Sequence, residues 1–450
     1  MKRMAVICLL SALLCGLLSG CLLESPDELY ALPSPGQDYV NLKSKIDQVS
    51  AQLGAEYAAP LSGSNTQTVQ LVDLDGDGIQ ESAVAFFRVS SAEKPLKIYV
   101  FQQDQDGNYS TAYSIEGEGS AIYSIDYEDI GGTKDRELIV SWQLSENVHT
   151  LAAYSLKDQV ELMRSGYTKF EMADLDGDQQ DEIILLQVDS TESNNRAEYY
   201  DYSDGVMLLS SSAPMSLNVT GINSLRSGYL TNHVPAVFVT SSFGMNGGVL
   251  TDIFALRNNV LENVTMQETT SMSSDTICYY SKEDPQDVNG DSILEVPSPE
   301  LVPVYGEDSD DTENLWLLHW YQYDSEGRAT LVYTTFHNDS EGWYFIVPDA
   351  WVGEITITQS SPLLGVQQTT FAHWTQDGEE PQPFLSIYKL TGSNRYNRAQ
   401  LDPRFQLLPE TDNAIYVAEF NENSWQCGLD EDGVISRFEL IQSEWSIEEG

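Results

Sequence analysis

The chain has 450 residues, and its 70 acidic side chains against 22 basic ones give a formal charge of −48. Such a negative field excludes nucleic acid and anionic lipid headgroups as partners and favours divalent cations. With only 20% of residues charged and 41% hydrophobic, the acidity does not describe a disordered tail; there is apolar material for a core.

Lys2 and Arg3 precede an apolar run from about Ala5 to Leu18, too short to span a bilayer comfortably. The following Leu18-Ser19-Gly20-Cys21 resembles the bacterial lipobox, so residues 1–20 are expected to be a cleaved lipoprotein signal peptide. Cys21 then becomes the lipidated N-terminus, anchoring the mature chain to the outer face of a membrane. Residues 21–37, broken by Pro26, Pro33, Pro35 and Gly36, read as a tether. In the next segment, 38–61, Tyr39, Leu42, Ile46, Val49 and Leu53 recur every three or four residues and Gly54 stands ready to stop them. That pattern predicts one amphipathic helix packed on the protein's own body.

Strands are expected beyond Leu61, and an acidic loop recurs among them. Hard cations take six or more oxygens, which positions 1, 3, 5 and 9 of a tight loop supply together with the carbonyl at position 7. The first loop offers Asp73, Asp75, Asp77, Glu81 and the carbonyl of Ile79; the second, Asp174, Asp176, Asp178, Glu182 and the carbonyl of Gln180. A third offers Asp287, Asn289, Asp291, Glu295 and the carbonyl of Ile293. An EF-hand would need Glu at position 12 and a helix beyond it. Position 12 is Val84, Leu185 or Ser298, and the first two loops run into Ser82–Phe87 and Ile183–Val188, apolar runs of strand length.

An acidic loop leading into a strand, repeated along the chain, resembles the FG-GAP or VCBS repeats of integrin-like β-propellers and many bacterial surface proteins. The resemblance covers the loops and their strands. It implies calcium as the ligand and a mainly β fold, a β-propeller of about five blades, or six or seven if the C-terminal segment supplies more. This chain departs from the family in having Gln179 and Ser292 at position 6 and Glu at position 9.

Weaker counterparts of the loop-to-strand unit occur around Asp126 and from Val219 to Val239. Interleaved with these units is a second series of apolar pairs two residues apart: Tyr99 and Phe101, Tyr154 and Leu156, Tyr200 and Tyr202, Phe254 and Leu256, Tyr321 and Tyr323. Gly107, Gly205 and Gly327 follow three of them. The period suits a four-stranded blade, which assigns 62–338 to the propeller. Residues 339–450 alternate apolar and polar side chains without an acidic loop, as a β-rich C-terminal domain or as closing blades.

Trp316, Trp320, Tyr321 and Tyr323 stand together, either as a platform for a sugar or peptide ligand or as alternate members of a core. Cys278 and Cys427 are the cysteines left beyond Cys21; they could pair in an oxidising compartment or remain buried thiols. The five histidines are scattered, and no zinc-protease helix, Gly-x-Ser-x-Gly elbow or phosphate-binding Gly loop is present. The expectation is therefore a monomeric, lipid-anchored extracytoplasmic binding or adhesion module for a protein or glycan, without catalysis. A polysaccharide hydrolase or lyase built on a propeller is the alternative, and a purely structural envelope protein the third.

Overall fold

The computed structural model describes residues 37–189, 194–244, 247–280, 283–305, 314–374 and 380–441. The signal segment, Cys21 and nearly all of the tether lie outside them. Among the described residues no helix is long and apolar enough to cross a membrane.

Six antiparallel sheets of four or five strands follow one another along the chain. In the first, Val69–Val72, Ser82–Arg88, Leu96–Gln103 and Tyr109–Gly117 form a meander, and Glu56–Tyr57 adds to its edge. The second runs Ala121–Glu128, Glu137–Ser145, Val148–Ser155, Val160–Tyr167, and the third Lys169–Ala173, Glu182–Gln187, Arg196–Ser203, Val206–Pro214. Val219–Leu230, Val234–Phe243, Gly248–Arg257 and Val260–Asn263 make the fourth. The fifth contains Val296–Leu301, Trp316–Tyr323, Ala329–Asn338 and Trp343–Val347, and the sixth is built from the segment 355–420. Successive four-stranded meanders, each stacked on the next, are the architecture of a β-propeller; six sheets are present among the described residues.

Side-chain parity explains the stacking. Neighbouring residues of a strand point to opposite faces, so a strand between two sheets must be apolar on both. Ile184 and Leu186 join Val237, Val239 and Phe254 of the fourth sheet, while Ile183 and Leu185 join Ile139, Leu151 and Ala153 of the second. The same division places Val237 and Val239 against the third sheet and Ala236 and Phe238 against the fifth. Strands such as Ser82–Arg88 and Glu182–Gln187 are therefore near-continuous apolar runs, whereas the outer strand Tyr109–Gly117 is mostly exposed.

At the two ends of the series helical segments take the place of a neighbouring sheet. Val84 and Phe86 face the second sheet, but Ala83, Ala85 and Phe87 face Leu42, Ile46 and Val49 of the helix Gln37–Leu53. That helix stops where expected, with Gly54 in the left-handed region at φ 61°. On the sixth sheet Val366, Leu390, Ile415 and Val417 are covered by Ala399 of the short helix Arg395–Leu401 and by Phe405. Beyond the sixth sheet the chain returns to the fifth, where Phe438–Leu440 pairs with Trp343–Val347 and Phe438 stacks on Trp343 at 5.5 Å between ring centroids. A large aromatic core between these two sheets contains Phe336, Phe345, Trp351, Phe371 and Phe384, all buried.

Two expectations are settled by burial. Trp320 and Tyr323 belong to the core, with the Trp320 indole donating to Thr335 Oγ1 at 2.8 Å, and Trp316 and Tyr321 are half-buried. Burial therefore takes Trp320 and Tyr323 out of any surface platform. Cys278 and Cys427 are both free thiols, donating to the carbonyls of Tyr280 and Leu429.

Candidate metal centres in the acidic loops

Each acidic loop runs directly into a strand of its sheet. In the first, Asp73 Oδ2 accepts from the Gly78 amide at 2.8 Å, Asp75 Oδ1 from Asp77 at 3.2 Å and Asp77 Oδ1 from Ile79 at 2.8 Å. The second repeats this: Asp174 accepts from Gly177 at 2.7 Å and Gln179 at 3.0 Å, Asp176 from Asp178 at 3.0 Å, and Asp178 from Gln180 at 2.8 Å. These bonds wind the backbone into a ring that turns the remaining carboxylate oxygens inward. Positions 4 and 6 must be left-handed for that winding. Gly76 and Gly78 (φ 67° and 90°) meet the demand without a side chain, whereas Gln179 and Ser292 adopt φ 72° and 68° despite their Cβ atoms.

Ligand atoms of Asp73, Asp75, Asp77 and Glu81 all lie within 4.8 Å of one another, and so do those of Asp174, Asp176, Asp178 and Glu182. Asp73 Oδ1 and Glu81 Oε2 are buried and accept no hydrogen bond, an arrangement that costs free energy unless a cation meets them. In the second loop Glu182 is 2% exposed and one of its oxygens accepts from the Leu175 amide at 2.8 Å. Burial, and after it the charges of Asp176, Asp174 and Asp178, push its carboxyl up to about 8. A hard divalent ion fits both donor sets, which hold only oxygen.

The third loop has the same backbone but a different interior. Asp287 accepts from Gly290, Asp291 and Ser292, and buried Glu295 accepts from Val288 at 2.8 Å. Its centre is crossed by Gln322, whose amide donates to Asp291 Oδ2 at 2.8 Å and Glu295 Oε1 at 2.6 Å, and Asn289 also donates to Asp291. Asp287, Asp291 and Glu295 are not gathered as the carboxylates of the first two loops are.

A fourth copy, in the second sheet, escaped the sequence reading, which centred on Asp126, three residues early. Asp129 accepts from Thr133 at 3.0 Å and Lys134 at 2.8 Å, Glu137 accepts from Ile130 at 3.2 Å, and Gly132 and Lys134 are left-handed at φ 63° and 69°. Ligand positions 3 and 5 are Gly131 and Thr133, so the acidic signal is gone; the legible trace was Asp129, Gly132 and Glu137 at positions 1, 4 and 9. Asp135 pairs instead with Lys157 at 2.6 Å. Burial pushes the Glu137 carboxyl up to about 7, with the Ile130 hydrogen bond opposing.

The loops lie side by side. A Cβ on Gly76 would sit 2.6 Å from the Lys134 carbonyl, and one on Gly132 would sit 2.7 Å from the Gln180 side chain. Beside the first loop opens a polar groove lined by Asp73, Gly78, Asp126, Glu128 and Arg136, and beside the second a groove lined by Asp174, Gly177, Asp181, Ser227 and Tyr229.

No family model matches the chain, and no curated protein matches it. Among solved structures, one described as the structure of the Dos1 propeller aligns with 59% of this chain and 72% of that chain at 9% identity, with a TM-score of 0.27. A protein from Lactobacillus plantarum aligns with 72% of this chain and 86% of its own at 9% identity and a TM-score of 0.23. The fold assignment rests on the sheet order and stacking described above.

Proposed function

We propose that the chain is a lipid-anchored extracytoplasmic binding module whose recognition rim is ordered by calcium, of the FG-GAP or VCBS kind. The observation that carries this reading is the pair of all-oxygen clusters at Asp73–Glu81 and Asp174–Glu182, the first with two buried, unpartnered carboxylate oxygens. Calcium neutralises loops that otherwise repel themselves, and the ordered loops then fix the walls of the two grooves beside them. Extracellular calcium sites of this type bind with dissociation constants on the order of 10⁻⁴–10⁻³ M. The proposed ligand of the rim is a protein or a glycan, and the proposed anchor is lipid on Cys21, which keeps the rim outside the cell.

Calorimetric titration of the fragment beginning at Leu22 should show two calcium sites in that range, both lost when Glu81 and Glu182 become Gln. Isolated cell-wall glycan is the first ligand to try: saturable, chelator-sensitive binding without release of reducing ends supports the module. Release of reducing ends would support the hydrolase instead. Radiolabelled palmitate should enter the wild-type chain and not Cys21→Ser.

A further inference from the structure

Away from the acidic loops, Glu283, His337 and Asp339 bring one ligand atom each to within 4.8 Å of the others. Glu283 comes from the connection between the fourth and fifth sheets; His337 is the penultimate residue of the strand Ala329–Asn338 and Asp339 begins the turn after it. The imidazole is locked in place: it stacks on Tyr344 at 5.2 Å and 18° and lies 6.2 Å from Trp320. Its side chain is 3% exposed, and its Nδ1 is buried with no hydrogen-bond partner. Glu283 Oε1 stands 3.2 Å from that nitrogen without the geometry of a hydrogen bond. Such an unsatisfied nitrogen is costly in a protein interior.

A bound metal ion accounts for the arrangement. Two ligands about 2.0–2.1 Å from one tetrahedral ion lie roughly 3.3–3.4 Å apart, close to the separation of Nδ1 and Oε1. The Tyr280 hydroxyl donates to Asp339 Oδ2, the kind of outer contact that orients a ligating carboxylate. An imidazole beside two carboxylates suits a borderline transition cation, unlike the all-oxygen loops that suit calcium. The geometry points to a second class of metal site in this protein: a zinc-type divalent centre held by Glu283, His337 and Asp339, pinning the connection before the fifth sheet to the end of the strand Ala329–Asn338.

The test is a Co²⁺ and Zn²⁺ titration of the chain from Leu22 in excess calcium, which keeps the acidic loops occupied. The expected result is one Co²⁺ per chain with visible d–d absorption and quenching of tryptophan fluorescence, displaced by Zn²⁺ and not by more calcium. Glu283→Gln and Asp339→Asn, checked for folding by circular dichroism, should each weaken binding at least tenfold, and His337→Gln should abolish the d–d bands. No binding in excess calcium, or binding equally tight in folded Glu283→Gln and Asp339→Asn, would overturn the assignment.

Discussion

Replacing Glu81 and Glu182 by Gln should abolish the stabilisation by calcium and make the variant the more stable protein in chelator. The amide keeps an oxygen for the Leu175 N–H that Glu182 now accepts at 2.8 Å, so the loop backbone is preserved while a buried charge is removed. For an acid whose folded pKa, about 8 for Glu182, exceeds its unfolded value, stability is fully present below the unfolded pKa and is lost as pH rises through about 8. In chelator at pH 8.5 the wild type therefore carries an ionised, desolvated carboxylate that the variant lacks, and the variant should melt higher. In 10 mM calcium the order should reverse. A site with a dissociation constant on the order of 10⁻⁴–10⁻³ M contributes about 1.4–2.7 kcal/mol at that concentration, so two sites give about 3–5 kcal/mol. With an unfolding entropy of about 2.1 cal/mol/K per residue, a chain of this size gains roughly 3–6 °C. Thermal unfolding followed by circular dichroism, in calcium and in chelator, reads both arms. A wild-type melting temperature indifferent to calcium, or a variant that keeps the gain, would refute the reasoning.

The other loops respond differently. Because Glu137 is pushed up to about 7, wild-type stability should fall as pH rises through 7 and Glu137→Gln should flatten that fall; unchanged pH profiles would show that the carboxyl is solvated. Gln322→Ala removes the donors on Asp291 and Glu295, so the third loop should lose stability in chelator by about 1–2 kcal/mol and gain calcium affinity by calorimetry. Gln179→Gly relieves a left-handed side chain and should raise the melting temperature, by the equivalent of roughly 0.5–1 kcal/mol. Trp351→Ala empties the aromatic core between the fifth and sixth sheets and breaks the indole bond to the Cys427 carbonyl at 2.7 Å, a loss of about 3–5 kcal/mol measurable by urea unfolding.

The repeating units were legible because each contains a chemical demand that constrains several residues at once. Apolar runs such as Ile183 to Leu186 had to be strands buried on both faces, and their register with the acidic loops set the period. Of the second series of pairs, Tyr99 and Phe101 lie in the strand Leu96–Gln103 and Tyr200 and Tyr202 in Arg196–Ser203, the third strands of their meanders, whereas Tyr321 and Tyr323 lie in the second strand of the fifth sheet. Burial direction was less legible. Alternation puts Trp316 and Trp320 on one face and Tyr321 and Tyr323 on the other, yet the buried residues are Trp320 and Tyr323, one from each face.

At the candidate sites the difference between loops lies in residues far along the chain. Loop one and loop three share the acids at positions 1, 5 and 9, but in the third Asn289 replaces the acid at position 3 and a glutamine from the neighbouring strand donates to two of the acids that would hold the ion. Lys157 plays a comparable part for Asp135 in the fourth copy, where a side-chain cation neutralises the loop. Gln180 and Ser82 also donate to Asp178 and Glu81 in the first two loops, but there the four acids keep ligand oxygens gathered within 4.8 Å of one another. Local spacing sets the backbone ring, through the Asx hydrogen bonds and the left-handed positions 4 and 6. Whether a cation completes it depends on what the next strand brings, and on that basis the calcium dependence of stability should reside almost wholly in the first and second loops.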